Sequence, residues 1–162
     1  MYETRDYENR LILRDYRLIP LENANNKNLN YLEYIIWGNA ENIMRIKATK
    51  NLFVDGTFHH PPGYYQMIII MYKDIITNLK NPGLYILLNS KKEILYDLVF
   101  ESIVKNIFAN DLGALNLETI VTDQEEALVN TIKKFFPNSK RISCLFHYKH
   151  DILRSLKSYG LY

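Results

Sequence analysis

The sequence predicts an α/β domain built on one mixed sheet. Three apolar runs, Asn51–Asp55, Tyr64–Tyr72 and Leu84–Leu88, are joined by segments that carry turn signals, His60-Pro61-Pro62-Gly63 and Asn81-Pro82-Gly83. Short connections of that kind imply antiparallel pairing. From Ser90 onward, apolar runs alternate with stretches of helical periodicity, which implies strands added in parallel. A third observation bears on chemistry. The run FVDGTF, Phe53 to Phe58, places Asp55 where a buried strand leaves the core, and Ile120-Val121-Thr122 leads into Asp123 in the same way. A carboxylate at a strand end is held by rigid backbone, which suits metal binding or acid–base work.

The elements follow in order. Residues 1–30 are polar, with an Asn-rich stretch from Asn23 to Asn30, and read as an irregular arm with one strand at Leu11–Leu13. Residues 31–162 form the domain proper. Tyr31–Trp37 is a strand, and Gly38–Ala48 is a short helix that packs through Ile43, Met44 and Ile46. Asn51–Asp55 is the first core strand. His60-Pro61-Pro62-Gly63 is a strong turn signal. Tyr64–Tyr72 is nearly continuous in apolar residues, as expected of a strand buried on both faces. Asn81-Pro82-Gly83 reads as the next turn and Leu84–Leu88 as the third strand.

Helices then take over. Ser90-Lys91-Lys92-Glu93 has the form of a capping box, and Tyr96, Val99, Phe100, Ile103 and Ile107 follow at helical spacing. Leu117–Val121 is the fourth strand. Gln124–Phe136 is a helix with Leu128, Ile132, Phe135 and Phe136 on one stripe, stopped by Pro137. Arg141–Cys144 is a short fifth strand, and Phe146–Ser158 is a last helix with Ile152, Leu153 and Leu156 turned inward. Three antiparallel strands followed by alternating helices and strands is the ribonuclease H-like arrangement. In it the first and fourth strands lie side by side, which brings Asp55 and Asp123 together.

Composition limits the alternatives. A chain of 162 residues with 48% apolar content can bury a real core as one domain, with or without an arm. A net charge of +2 gives no bulk electrostatic argument for nucleic acid. A single cysteine excludes an internal disulfide framework and suits a reducing compartment. No apolar stretch reaches the roughly 18 residues of a membrane span. The N-terminus, with Glu3, Arg5, Asp6, Glu8 and Arg10, is not a signal peptide. Heavy use of Asn, Lys, Ile and Tyr is the bias that AT-rich coding DNA would produce, so the thirteen tyrosines are given little functional weight.

Each candidate residue also has a plainer role. Asp-Gly-Thr at Asp55 is a common turn composition. Thr122 or Asp123 can cap the following helix, with Glu125 or Glu126 completing the box. Both glutamates, at a helix start, are expected to face solvent or cap its first turn. Cys144-Leu145-Phe146-His147 forms Cys-x-x-His, with His150 a turn later and His59-His60 near Asp55. Structural zinc takes four ligands from paired clusters, which one cysteine does not supply. Cys144 then reads as a small residue at a strand end, and His147 as a residue orienting the sheet edge. Arg141, Lys149, Arg154 and Lys157 fit a solvated helix face. Haloacid dehalogenase-type phosphatases carry Asp-x-Asp-Gly-Thr, but here Phe53 stands at the nucleophile's position. Actin-like ATPases, with a similar phosphate loop, need a much longer chain.

Taken together, these motifs resemble the Mutator-like element (MULE) transposase domain. FVDGTF with Pro61 and Gln66 looks like that family's first catalytic motif. Tyr85–Ile103 looks like its strand and following helix. Ile120–Leu161 looks like its second motif running into Cys-x-x-His. The resemblance covers residues 31–162. It implies a ribonuclease H-like fold and a DDE metal triad in which Asp55 and Asp123 are the first two acids, both catalytic and metal-holding. Cys144 and His147 match the Cys-x-x-His. It further implies two Mg²⁺ or Mn²⁺ ions about 4 Å apart, DNA (transposon ends and target) as partner, and a nuclear location. The family's third acid, a glutamate, follows an inserted helical region, and its N-terminal zinc finger has no counterpart here. The expectation is a C-terminally incomplete domain, a fragment or a decayed or domesticated copy, with weak or no metal binding and no cleavage by itself. Asp151, one turn past His147, is the nearest stand-in for the missing acid.

Overall fold

The structure is a computed structural model that describes residues 13–21, 31–57, 63–108 and 117–161. Within them, seven strands form one sheet: β1 (Leu13–Pro20), β2 (Tyr31–Trp37), β3 (Asn51–Thr57), β4 (Gln66–Lys73), β5 (Lys80–Leu88), β6 (Thr119–Thr122) and β7 (Lys140–Ser143). The helices are α1 (Ala40–Ala48), α2 (Glu93–Ser102), α3 (Glu126–Phe135) and α4 (Leu145–Ser158). The spatial order is β1-β2-β5-β4-β3-β6-β7. From β1 to β3 every neighbour is antiparallel. The β3–β6 and β6–β7 pairs are parallel. Three hairpin-type strands followed by two parallel additions is the pattern expected from the sequence.

Alternation along the strands sorts their side chains. Leu52, Val54, Ile68, Ile70, Tyr72, Leu84, Ile86 and Ile120 join Ile43 and Ile46 of α1, Tyr96, Val99 and Phe100 of α2, and Leu128 and Ile132 of α3 in one buried cluster. One turn of π-helix, Ile103–Ile107, continues α2 and buries Ile103, Val104 and Ile107. The opposite sheet face is only half covered. In β4 buried and intermediate residues alternate strictly, so the strand is not buried on both faces as its apolar run suggested.

Several local expectations need correction. Of the strand expected at Leu11–Leu13, residues 11 and 12 lie outside the described residues; β1 covers Leu13–Pro20, longer than expected, and pairs with all of β2. Asn81-Pro82-Gly83 is not a turn but part of β5. Pro82 sits at a register shift opposite Met71, beyond the stretch where β2 pairs with β5. A missing N–H is tolerated there because that side of the strand is open. Gly83 is required by close approach: a Cβ would fall 2.4 Å from Ile46 Cδ1. The turn lies earlier, where Asp74 Oδ1 accepts from the N–H groups of Ile76 and Thr77 and Asn78 adopts a φ of 59°. The capping box at Ser90 does not form. Helix α2 starts at Glu93, Ser90 Oγ accepts from the Lys92 N–H, and Glu93 accepts from Asn130 instead. Finally, α4 buries none of its residues: Ile152 and Leu153 are exposed and Leu156 is half-buried. The segments around Asn23–Asn30 and His59–Pro62 lie outside the described residues.

Candidate functional site

Strands β3, β5, β6 and β7 all end on one edge of the sheet, because β3, β6 and β7 are parallel and β5 is antiparallel to the intervening β4. The chemistry-bearing residues gather there. Register between β3 and β6 ends at Val54↔Thr122, so Asp55 and Asp123 are the next residues of two neighbouring strands. Asp55 is not the last residue of β3. Pairing with β4 continues through Gly56 and Thr57, and Asp55 stands where β6 has already stopped.

The two carboxylates differ in surroundings. The Asp55 side chain is about half exposed (48%), and its Oδ1 lies 3.7 Å from His147 Nε2. Asp123 is only 8% exposed. Its Oδ1 accepts the Glu125 N–H at 3.0 Å, closing a tight turn into α3. Burial pushes the Asp123 carboxyl up from its usual range. The Glu125 N–H pulls it back, the charges of Glu125 and Asp55 raise it further, and His147 opposes them. Asp55 and Asp123 are therefore electrostatically coupled, although they stand 68 positions apart (123 − 55) in the chain.

Beneath this pair lies a polar cluster that sequence reasoning missed. Glu125 does not face solvent as expected; only Glu126 does. Glu125 Oε1 is 2.6 Å from the Tyr96 hydroxyl, and Oε2 accepts from Gln66 Nε2 at 3.1 Å. Tyr96 also donates to Gln66 Oε1 at 2.5 Å. One hydroxyl proton serves those two oxygens by turns. Gln66 and Tyr96 are fully buried. Burial and the Glu125 carboxylate both raise the Tyr96 hydroxyl pKa, keeping it a protonated donor. Lys91 Nζ approaches Glu125 Oε1 at 4.0 Å. The available sequence signal was a polar Gln66 opening an otherwise apolar strand, a position where an unpaired amide is costly.

Cys144 and His147 sit at the start of α4. The Cys144 N–H donates to Thr122 O at 2.7 Å, which ties this turn to the end of β6. Cys144 Sγ caps nothing. His147 points its Nε2 toward Asp55, and its Nδ1 is buried without a hydrogen-bond partner, as is Thr122 Oγ1. Asp151 is exposed and pairs with Arg154 at 3.6 Å, and among the described residues it forms no three-ligand group with Asp55 and Asp123. Among the described residues, no group of three or more His, Cys, Asp or Glu side chains is arranged to hold a metal ion.

The family model of the MULE transposase domain matches residues 51–151, more than half of the chain. The chain belongs to the MULE transposase family. The matched region runs from β3 into α4 and takes in Asp55, Gln66, Tyr96, Asp123, Glu125, Cys144 and His147. MULE domains are transposase domains, so DNA interaction and the use of divalent metal are general properties of the family. No curated protein and no solved structure matches this MULE domain. Among the described residues, no helix is long and apolar enough to cross a membrane.

Proposed function

We propose that this chain is a ribonuclease H-like, DDE-type transposase domain, related to metal-dependent DNA strand cleavage and transfer but unable to cut DNA by itself. One observation carries the reading: β3 and β6 pair in parallel up to Val54↔Thr122, which makes Asp55 and Asp123 the next residues along two neighbouring strands. The order β5-β4-β3-β6-β7 supports the fold assignment, since it runs third, second, first, fourth, fifth among the core strands.

The donors present fit a magnesium-type cation. Such ions take oxygen ligands, keep several waters and need only one or two carboxylates. Asp55 and Asp123 supply two carboxylates, and Thr122, the residue before Asp123, has a buried Oγ1 without a hydrogen-bond partner. A bound cation would also offset the burial that disfavours a charged Asp123. When present, the metal supplies Lewis-acid stabilisation and an activated water. The protein's own contributions are narrower. Asp55 and Asp123 hold the ion, the Glu125 N–H aims one Asp123 oxygen, and His147 orients Asp55.

Two carboxylates are a weak magnet for the two-metal arrangement of this reaction class, which is why the chain alone is proposed to be inactive. A second reading is a non-catalytic remnant that acts as a binding or structural domain. The contact of His147 with Asp55 favours it, because the imidazole Nε2 already lies 3.7 Å from the Asp55 carboxylate, on a side where a metal would have to approach.

The test is Mn²⁺ titration and plasmid nicking with the wild-type chain, Asp55→Ala and Asp123→Ala. The expected result is weak Mn²⁺ binding that both substitutions abolish, and no nicking with Mg²⁺ or Mn²⁺. Equal Mn²⁺ binding in all three proteins would remove the metal role. Metal-dependent nicking lost in both variants would show that a third ligand lies within these residues.

A further inference from the structure

β4 begins on the sheet edge where β3, β5 and β6 end. Tyr65 immediately precedes β4, and its N–H donates to Leu88 O at 2.7 Å, which fixes its backbone to the end of β5. Tyr65 as a residue is 50% exposed. Lys91, in the link from β5 to α2, places Nζ 5.4 Å from the centroid of the Tyr65 ring. The same Nζ lies 4.0 Å from Glu125 Oε1, and the Glu125 N–H is bound to Asp123. A continuous set of contacts therefore leads from the carboxylate pair to an exposed aromatic ring with an ammonium beside it.

A DNA strand reaching Asp55 and Asp123 brings phosphates toward three carboxylates, counting Glu125. Local positive charge has to offset that repulsion. Lys91 supplies a point charge on a flexible stem, a form suited to phosphate. Tyr65 supplies a π-face on which any base can stack. Within a duplex both faces of each base are already stacked on neighbours. A ring anchored at the protein surface therefore accepts a base from a frayed end or an opened strand.

We propose that Tyr65 and Lys91 form a subsite for an unpaired base and its adjacent phosphate on a DNA strand passing Asp123. The subsite rests on the DNA-strand reading above and adds where the strand lies and that it is locally unpaired there.

The experiment is fluorescence anisotropy with a labelled oligothymidine and an abasic strand of equal length, in EDTA, with wild-type protein, Tyr65→Ala, Tyr65→Phe and Lys91→Ala. Circular dichroism verifies that each variant is folded. Wild type is expected to prefer the strand with bases. Tyr65→Ala should weaken that binding by about fivefold or more and erase the preference, while Tyr65→Phe keeps both. Lys91→Ala should weaken binding to the two strands alike and flatten the salt dependence. Unchanged binding by Tyr65→Ala, no preference for bases over abasic sites, or no binding by wild type overturns the proposal. Mn²⁺ titration of the same proteins without DNA tests the carboxylate reading separately. Tyr65→Ala that binds Mn²⁺ normally but shows wild-type DNA affinity overturns the subsite and leaves the metal reading standing.

Discussion

The Glu125 N–H donates to Asp123 Oδ1 at 3.0 Å while the Glu125 side chain is gripped from below by Tyr96 and Gln66. Asp123 is thus fixed through its neighbour's backbone, and that neighbour is fixed by residues of α2 and β4. Asp123, in the turn that leads into α3, is anchored to the sheet rather than left at a fraying helix end. Second-layer contacts of this kind set the aim of a ligand carboxylate.

Tyr96→Phe isolates the clamp from the packing of the ring. It removes one hydroxyl and leaves Gln66 Oε1 and Glu125 Oε1 without their donor. Stranding buried acceptors costs about 1–3 kcal/mol. Urea unfolding should show a loss of that size with an unchanged slope. A loss near zero would mean that water replaces the hydroxyl and that the cluster does not hold Glu125.

Gly56 tests the same cluster from the sheet side. A Cβ there would fall 2.3 Å from Gln66 Nε2 and 3.6 Å from Asp123 Oδ2. The amide end of a glutamine can usually swing aside, but here it is held by Tyr96 and Glu125. Gly56→Ala should therefore cost about 1–3 kcal/mol by overpacking. In a Tyr96→Phe background the amide is partly released, so the penalty should shrink, with a coupling of at least about 0.5 kcal/mol. Strict additivity would place the clash elsewhere.

Asp123 also makes stability depend on pH. Burial raises its carboxyl pKa above the unfolded value of about 3.9. Between those two values the folded state binds more protons than the unfolded state, so stability falls as pH rises through that window. The contribution is complete below the unfolded pKa and lost above the folded one. Asp123→Asn keeps an oxygen for the Glu125 N–H and removes the charge. It should flatten this part of the profile and raise the urea midpoint at neutral pH. A lower midpoint would show that the ionised carboxylate is stabilised by more than the contacts described.

Much of the arrangement was legible because it follows from backbone rules. Turn signals between Asn51 and Leu88 imply antiparallel neighbours and helical periodicity after Ser90 implies parallel additions, as the pairings have it. The expectation that Asp55 and Asp123 converge rests on the likeness of this element order to a ribonuclease H-like sheet. What escaped depends on side chains meeting across the fold. Pro82 and Gly83 have turn composition, yet Ile46 of α1 packs on Gly83, and Asp74 supplies the turn through its own hydrogen bonds. Glu125 reads as a helix-start glutamate until Tyr96 and Gln66 are seen beneath it. Spacing within α3 cannot reveal partners contributed by α2 and β4. The inward stripe assigned to α4 had the right period, but periodicity names a face without supplying the surface that covers it.

That stripe gives the last prediction. Ile152 and Leu153 are about 40% exposed (42% and 40%), whereas Leu128 of α3 is fully buried. If α4 packs in solution as it does here, Ile152→Ala and Leu153→Ala remove little buried surface. Each should change stability by no more than about 0.5 kcal/mol. Leu128→Ala should cost about 2–5 kcal/mol, because it opens a cavity within the buried cluster that cannot close fully. The ratio between the two classes is the readout, and it cancels errors of extrapolation common to all variants. Costs for Ile152→Ala and Leu153→Ala approaching that of Leu128→Ala would mean that the apolar face of α4 is covered in solution. Repeating the unfolding across protein concentrations then separates the possible covers, since a second copy makes the midpoint concentration-dependent and an intramolecular contact does not.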